Sequence, residues 1–359
     1  MKEKIIVGMS GGVDSAVASA ILKEEGFEVE GLFMKNWEEN SEYCQSEQDY
    51  KDALQVCDKL NIPLRSVNFS KQYWDRVFKH FLSEYEQGRT PNPDILCNTE
   101  IKFKEFYNYA LKLGAQRIAT GHYVQTKASK NSVLLLKGDD PNKDQSYFLY
   151  KLNQKQISSA LFPIGKLEKK RVRSFAKKYH FTNFSKKDSV GICFIGKRDL
   201  MKFLSNYIPK KTGYIIDEKG KRLGTHQGVM FYTIGQRKGL GIGGINNGYD
   251  GAWYVADKDI TNNELIAVQG HAHPALYHTK LIASNIHWIS GYEPTKKTQL
   301  KAKIRYRGKE KACNIKKLDD DMILVSFKAP RFAISPGQSV VFYQKNICLG
   351  GALIEYPQN

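Results

Sequence analysis

Six residues, Ser10-Gly-Gly-Val-Asp-Ser15, constrain the fold of this chain more than any other stretch. They follow Ile5-Ile6-Val7-Gly8-Met9, an apolar run that reads as a buried parallel strand. They lead into Ala16-Val17-Ala18-Ser19-Ala20-Ile21-Leu22, which reads as the first turns of a helix. A strand, a glycine-rich turn and a helix together aim free backbone N–H groups at an anion. Gly11 and Gly12 leave no Cβ between the backbone and phosphates. Ser10 and Ser15 add hydroxyl donors, and Asp14 adds a carboxylate able to orient a Mg²⁺ ion. The Walker pattern G-x-x-x-x-G-K-[ST] occurs nowhere, so no loop lysine reaches the β- and γ-phosphates.

The string SGGVDS resembles the PP-loop of the ATP pyrophosphatases. That resemblance implies cleavage of the α–β bond of ATP and adenylation of a carbonyl-type oxygen. The surrounding pattern fits. Strands are expected at Lys4–Met9, Glu28–Met34, Leu64–Phe69 and Arg117–Thr120, and helices at Ser15–Glu25, Gln48–Leu60, Gln72–Gln87 and Thr99–Leu113. Alternation of this kind predicts an α/β domain with a doubly wound parallel sheet and its ligand at the C-terminal strand ends. Thr120-Gly121-His122 falls at such an end. Further on, Val133–Lys137 reads as a strand and Glu168–His180 as a helix.

From Thr212 short β-like runs replace the helical period: Gly213–Asp217, Tyr249–Ala256 and Glu264–Val268. From Leu276 the pattern is almost wholly β, at Lys280–His287, Gln299–Tyr306, Lys311–Lys317, Met322–Phe327, Ser339–Tyr343 and Ile347–Glu355. Six short strands with turn signals predict a small barrel. The expected division is a PP-loop catalytic domain over residues 1–200, a small mixed β-rich central domain over 201–275 and a C-terminal β-barrel over 276–359. Gly239-Leu-Gly-Ile-Gly243 precedes a β-like run rather than opening a helix, so it is no dinucleotide fingerprint; the loop Gly239–Gly248 is expected to order on binding RNA.

Charge narrows the partners. The chain of 359 residues carries 55 Lys+Arg against 37 Asp+Glu, a net +18. Residues 276–359 alone hold 14 Lys+Arg and 6 Asp+Glu, which is +8. An excess of this size suits a polyanion, whose counterions the cations displace. No run of about 18 apolar residues spans a membrane, and Met1-Lys-Glu-Lys-Ile-Ile leads straight into a strand, so a cytoplasmic protein is expected. The six cysteines form no C-x-x-C and the eight histidines no zinc spacing. In a reducing compartment such cysteines stay free unless they work chemically.

Two cysteines have suggestive settings. Thr90-Pro-Asn-Pro-Asp-Ile-Leu-Cys97 is a proline-stiffened loop that places Cys97 just before a predicted helix, where a thiolate is stabilised by free N–H groups. Asp94 lies close enough in sequence to exchange protons with a substrate. Cys193 sits in Gly191-Ile-Cys-Phe-Ile-Gly196. An ATP pyrophosphatase loop, two candidate thiols and a basic body point together to sulfur transfer onto a nucleic acid.

These stretches, together with GLFMKNW (31–37), TPNPDILCN (90–98), IKF (101–103), ATGHY (119–123), DPNKDQSYFL (140–149), FYTIGQRKGLGIGG (231–244), KIRYRG (303–308) and PGQSVVFY (336–343), resemble the tRNA-specific 2-thiouridylases from the first strand to the last. The resemblance implies sulfur installed at C2 of the wobble uridine of tRNAs for Lys, Glu and Gln, with ATP and Mg²⁺ required. It implies ATP binding by Gly8, Met9, Ser10, Gly11, Gly12, Val13, Asp14, Ser15, Met34 and Gly121. It implies target-base contacts from Asn92, Pro93 and Asp94, and tRNA contacts from His122, Lys143, Asp144, Gln145, Arg305, Tyr306 and Gln338. Cys97 is the implied nucleophile, Cys193 the persulfide carrier, and a Cys97–Cys193 disulfide the implied product of each turnover. Expected partners are the anticodon arm of tRNA and a sulfur donor, either a cysteine desulfurase or a relay protein. Two rivals explain less. A small-molecule amidating pyrophosphatase leaves the thiols and charge unexplained, and a non-catalytic tRNA-binding protein leaves the thiols idle.

Overall fold

The computed structural model describes residues 2–38, 45–130, 132–188, 191, 193, 195, 199–243, 251–295, 299–319 and 321–359. Cys44, residues 192, 194 and 196 of the Gly191–Gly196 stretch and residues 244–248 of the glycine-rich loop lie outside them.

The chain begins with β1 (Lys4–Met9), α1 (Val13–Glu24), β2 (Glu28–Lys35), α2 (Gln45–Leu60) and β3 (Leu64–Asn68). A helical rod follows, made of α3 (Ser70–Tyr73), a π-helical stretch Trp74–Phe78 and α4 (Lys79–Glu86). A second rod joins α5 (Pro93–Leu96), a π-helical stretch Cys97–Glu105 and α6 (Phe106–Lys112). Then come β4 (Arg117–Ala119), the hairpin β5 (Val124–Ser129) and β6 (Ser132–Lys137), α7 (Gln154–Ser158), β7 (Ala160–Leu161) and α8 (Lys169–Lys178). Among the described residues β3-β2-β1-β4-β7 form one parallel sheet with β1 at its centre.

That central place explains the unbroken apolar run. Ile6, Leu32 and Met34 point to one face and pack with Phe78, Phe103 and Phe106 of the two rods. Ile5, Val7 and Phe33 point to the other and pack with Val17, Leu22 and Val172 of α1 and α8. Both faces are covered, so neither position of the pleat is polar. Fully burying each large side chain contributes about 1.5–3 kcal/mol.

The second rod corrects the sequence reading. A helix was expected from Thr99; it begins at Pro93, capped by the Asn92 side chain, which accepts from the Asp94 N–H at 3.1 Å. Asn at the cap and Pro at the first helical position are a start signal, here mistaken for a stiff loop. Cys97 is therefore inside the rod, with no exposure, and not at a free helix end.

After α9 (Leu200–Leu204), β8 (Gly213–Ile216), β9 (Arg222–His226), β10 (Trp253–Asp259) and β11 (Glu264–Gln269) form a small sheet in the order β10-β11-β8-β9. Its buried Ile215, Leu223, Val255 and Leu265 join the apolar cluster that holds the two rods. Residues 249 and 250 of the expected strand at Tyr249 lie outside the described set.

The last six strands are β12 (Tyr277–Trp288), β13 (Leu300–Lys303), β14 (Lys311–Lys317), β15 (Ile323–Phe332), β16 (Ser339–Gln344) and β17 (Ile347–Gln358). They close in the order β12-β15-β14-β13-β16-β17, with β17 pairing back onto β12. Leu281, Val325, Val340, Phe342 and Ile354 fill the barrel. Two features escaped the sequence. β13 stops at Lys303, leaving Arg305 and Tyr306 in the following turn. The β5–β6 hairpin pairs with β17 (Leu136 with Ile347), so the first part of the chain extends the barrel's sheet.

Candidate active site

Two groups of residues form the site, one at the end of β1 and one around the start of the second rod.

At the first, Gly12 caps α1, and the loop folds on itself. The Ser10 N–H donates to Ser15 Oγ at 3.2 Å, and Ser15 Oγ donates to the Gly12 carbonyl at 3.1 Å. Gly11 has φ +69°, and a Cβ there would lie 2.2 Å from the Asp49 carbonyl oxygen. Gly121 abuts α1 as closely; a Cβ on it would sit 2.8 Å from Ser15 N. Glycine is required at both because backbone meets backbone. Gly8 and Met34 touch beneath the loop, where Met34 Cε lies 3.4 Å from an ideal Gly8 Cβ. Met9 and Val13 are buried and support the loop through packing.

The Asp14 carboxylate is not left to a metal in this arrangement. It accepts from Lys169 Nζ at 2.8 Å and from the Tyr123 hydroxyl at 2.7 Å. Lys169 also pairs with Asp188 at 2.6 Å, and Asp188 is held below the ordinary carboxylate range by Lys143 and Lys169 against the opposing cost of its burial. Across the loop, Asn183 and Lys186 donate to the Gly11 carbonyl at 3.1 and 3.2 Å. Lys169, Asn183 and Lys186 carry no motif and Tyr123 ends the ATGHY stretch, and sequence reading passed over all four as site residues. The basic run of α8 was the single available signal.

At the second group, the backbone N–H of Cys193 donates to Asp94 Oδ1 at 3.0 Å. The Tyr73 hydroxyl donates to the Cys193 carbonyl at 2.9 Å. Cys97 is buried, Cys193 half-buried, and both are reduced. The two thiols influence each other's ionisation, and the Lys102 charge acts on both. The electrostatics separate the two thiols. Burial pushes the Cys97 thiol well up, whereas the Cys97 S–H bond and the Lys102 charge bring Cys193 below the ordinary thiol value. The expected dipole activation of Cys97 is thus corrected: desolvation dominates there. Burial also raises Asp94, opposed by its bond from Cys193. Asp94 sits one turn before Cys97, within reach of both thiols.

The residues expected to contact tRNA divide. His122 is buried, bonded through Nδ1 to Thr120 Oγ1 at 2.8 Å and set against Phe103, and desolvation keeps it neutral far below its usual range. Gln145 accepts from the Tyr123 N–H at 2.9 Å. Lys143 pairs with Asp188. Asp144 is buried and binds Lys303 of β13 at 3.0 Å. Gln338 donates to the Thr90 carbonyl at 2.7 Å. Arg305 donates to the carbonyls of Phe332 and Ala333 at 2.5 and 3.2 Å. Tyr306 packs at a tilt against Phe148 with centroids 4.3 Å apart, and the Phe148 carbonyl accepts from Asn98 at 3.3 Å, beside Cys97. Asp144, in the turn after β6, and Gln338, through Thr90 between the two rods, therefore tie the barrel to the first part of the chain. Among the described residues no group of three His, Cys, Asp or Glu is placed to hold a metal ion, and no helix is long and apolar enough to cross a membrane.

Three family models match the chain: a tRNA methyl transferase HUP domain over residues 3–197, a tRNA methyl transferase PRC-barrel domain over 201–269 and an aminomethyltransferase beta-barrel domain over 278–354. The tRNA-specific 2-thiouridylase MnmA of Francisella tularensis subsp. holarctica is 53% identical over 355 residues, 98% of this chain and 99% of that protein. The protein of the same description from Proteus mirabilis is 54% identical over 357 residues, 99% of this chain and 97% of the other. A solved 4-thiouridine synthetase–RNA complex with bound ATP matches with TM-score 0.36 and 17% identity, over 58% of this chain and 50% of that one.

Proposed function

The chain belongs to the tRNA-specific 2-thiouridylase family, and from that membership we propose the chemistry by which it acts as a tRNA sulfurtransferase on the wobble uridine. The family models are described by methyl transfer; two thiols in contact beside a pyrophosphatase-type loop support sulfur transfer instead.

The uridine C2 oxygen is a poor leaving group. It attacks the α-phosphorus of ATP, pyrophosphate leaves, and the adenylated base now carries AMP as a good leaving group. Backbone N–H groups of Gly11 to Ser15 stabilise the charge that develops on the phosphates. Mg²⁺ enters with the nucleotide; because Lys169 and Tyr123 hold Asp14, no protein ligand is assigned to it. Cys193 receives sulfur as a persulfide. The terminal sulfur reaches C2, AMP departs, and Cys97 attacks the inner sulfur, leaving a Cys97–Cys193 disulfide that is reduced before the next cycle. Asp94, its carboxyl raised by burial, moves protons during activation and collapse.

Asn92, Pro93 and Asp94 meet the target base, and Met34 and Gly121 border the nucleotide. His122, Lys143, Asp144, Gln145, Arg305, Tyr306 and Gln338 take the anticodon arm, where their present contacts with neighbouring residues order the docking face. The units are residues 1–200, 201–275 and 276–359, the last gripping the RNA by its excess positive charge. The base leaves the anticodon stack to reach the rods. The protein works in the cytoplasm, supplied by a cysteine desulfurase or a relay protein.

The observation that carries this reading is the contact of Cys97 with Cys193 beside Asp94. The test is nucleoside mass spectrometry of unmodified tRNA-Lys incubated with the protein, ATP, Mg²⁺ and a cysteine desulfurase. The expected product is 2-thiouridine, absent from Cys193→Ser. Tight tRNA binding with no thiolated nucleoside would overturn the reading and favour a non-catalytic tRNA-binding protein.

A further inference from the structure

Four rings gather where the small sheet meets the barrel, and none of them belongs to the apolar clusters that fill the rods, the parallel sheet or the barrel. His271, in the turn after β11, lies flat on Phe332, the last residue of β15; their centroids are 4.5 Å apart and their planes 14° from parallel. Tyr254 of β10 and Tyr277 of β12 stand edge-on to this pair. Tyr254 meets Phe332 at 89° and His271 at 79°, and Tyr277 meets them at 62° and 77°. The Tyr277 hydroxyl shares a hydrogen bond of 3.2 Å with His271 Nδ1, which fixes the tilt of the imidazole. Phe332 and the two tyrosines are half-buried, whereas His271 is exposed. One face of the imidazole rests on Phe332, and among the described residues no ring covers the other.

Cations edge this platform and join it to the site already described. The Arg305 guanidinium lies 5.7 Å from the centroid of the Phe332 ring and donates to the Phe332 carbonyl. Its chain neighbour Tyr306 packs against Phe148, whose carbonyl is bonded to Asn98 beside Cys97. One dipeptide therefore touches the platform with its first residue and the second rod's neighbour with its second. Gly235 brings another basic segment to the same seam. It has φ +82°, a Cβ on it would lie 2.4 Å from that of Ala333, and its N–H donates to the Val255 carbonyl at 2.7 Å, next to Tyr254. The loop that leaves it carries Arg237 and Lys238, both exposed. A flat exposed ring with guanidinium and ammonium groups at its rim suits a partner that offers a π-face and a phosphate at every step, which is single-stranded nucleic acid.

We propose that the outer face of His271 is a stacking platform for one unpaired nucleobase of the anticodon loop. This deepens the proposed function and rests on its reading of tRNA as the substrate. When the target base leaves the stack, its neighbours lose a stacking partner. The platform replaces that partner for one of them and offsets part of the cost of extrusion. Every base has a π-face, so the platform supplies affinity and placement rather than a choice among bases.

The test uses the full-length protein and unmodified tRNA-Lys with 2-aminopurine placed, one position at a time, at the unpaired anticodon-loop positions other than the target uridine. Stacking quenches the fluorescence of this base. Wild type, His271→Ala and His271→Phe are compared, with affinity measured by filter binding over a range of salt. Wild type is expected to quench the probe at one position. His271→Ala loses that quenching and binds tRNA about five- to a hundredfold more weakly, with the same salt slope, since no lysine or arginine is removed. His271→Phe keeps quenching and affinity because a ring remains. Quenching and affinity in His271→Ala equal to wild type overturn the proposal. So does a loss that a folded His271→Phe shares, which would assign the effect to the hydrogen bond with Tyr277 rather than to the ring. If thermal unfolding shows His271→Ala to be destabilised, His271→Phe decides on the same terms. Wild type that binds tRNA without thiolating it leaves the platform standing, whereas wild type that binds no tRNA removes the reading beneath it and the platform as well.

Discussion

The nucleotide loop and the thiol centre are built in opposite ways. The turn of the loop is local, since Ser10, Gly12 and Ser15 bond to one another within five positions of the chain, and remote residues such as Lys169 and Asn183 are added to it from outside. The thiol centre is remote: Asp94 and Cys193 are 99 positions apart, and Tyr73 and Cys193 are 120 apart. A local device folds wherever a strand meets a helix. A remote one exists only when the rods and the Cys193 segment are packed together, and it is lost with any of them. The difference teaches that ATP use and sulfur transfer in this protein are separable by mutation.

The sharpest way to break that comparison is at the thiols. Cys193→Ser and Cys97→Ser are each expected to reduce 2-thiouridine formation by about a thousandfold or more, as removal of a covalent participant does. Release of pyrophosphate from ATP in the presence of tRNA persists in both. Equal loss of pyrophosphate release would show that the two regions act as one.

The reverse experiment is Gly11→Ala. Its Cβ would overlap the Asp49 carbonyl, in a backbone conformation that favours glycine. ATP affinity, read by calorimetry, should fall about tenfold or more, while Cys193 alkylation keeps its wild-type pH profile. A shifted profile would couple the loop to the thiols.

Lys303→Ala probes the seam between the barrel and the turn after β6. It strands the buried Asp144 carboxylate, and breaking such a pair costs on the order of 3 kcal/mol. Denaturant unfolding measures this. Asp144→Asn should suffer less, since its amide oxygen still accepts from Gly138 and Ser146 and the Lys303 ammonium left behind keeps Glu310 at 3.7 Å.

The smallest effect is expected for Tyr306→Leu. It removes the ring that packs at a tilt against Phe148, a pair worth about 0.5–1.5 kcal/mol beyond buried area. tRNA affinity should weaken with an unchanged dependence on salt, because no cation is removed. A changed salt slope would mean the turn sets the placement of Arg305.

Much of the fold was legible because its signals are periodic. Ile5 to Met9, the alternation of strand and helix through Ala119, and the barrel strands at Lys311–Lys317 and Ser339–Gln344 follow from runs and turns readable one window at a time. The β5–β6 hairpin's attachment to β17 was not, since pairing partners some 200 positions apart leave no local trace. The start at Pro93 was readable in principle; Asn92 and Pro93 form a cap, yet two prolines in five residues also read as a loop.

Local order along the chain settled the parallel sheet, the glycine-rich turn after β1 and the barrel, because each depends on neighbours in sequence or on a motif. Folding alone set the two thiols apart. Residue type is the same at 97 and 193. Burial raises the Cys97 thiol, while the neighbouring Cys97 and the Lys102 charge lower that of Cys193, and neither desolvation nor the charges that surround a side chain can be read from composition.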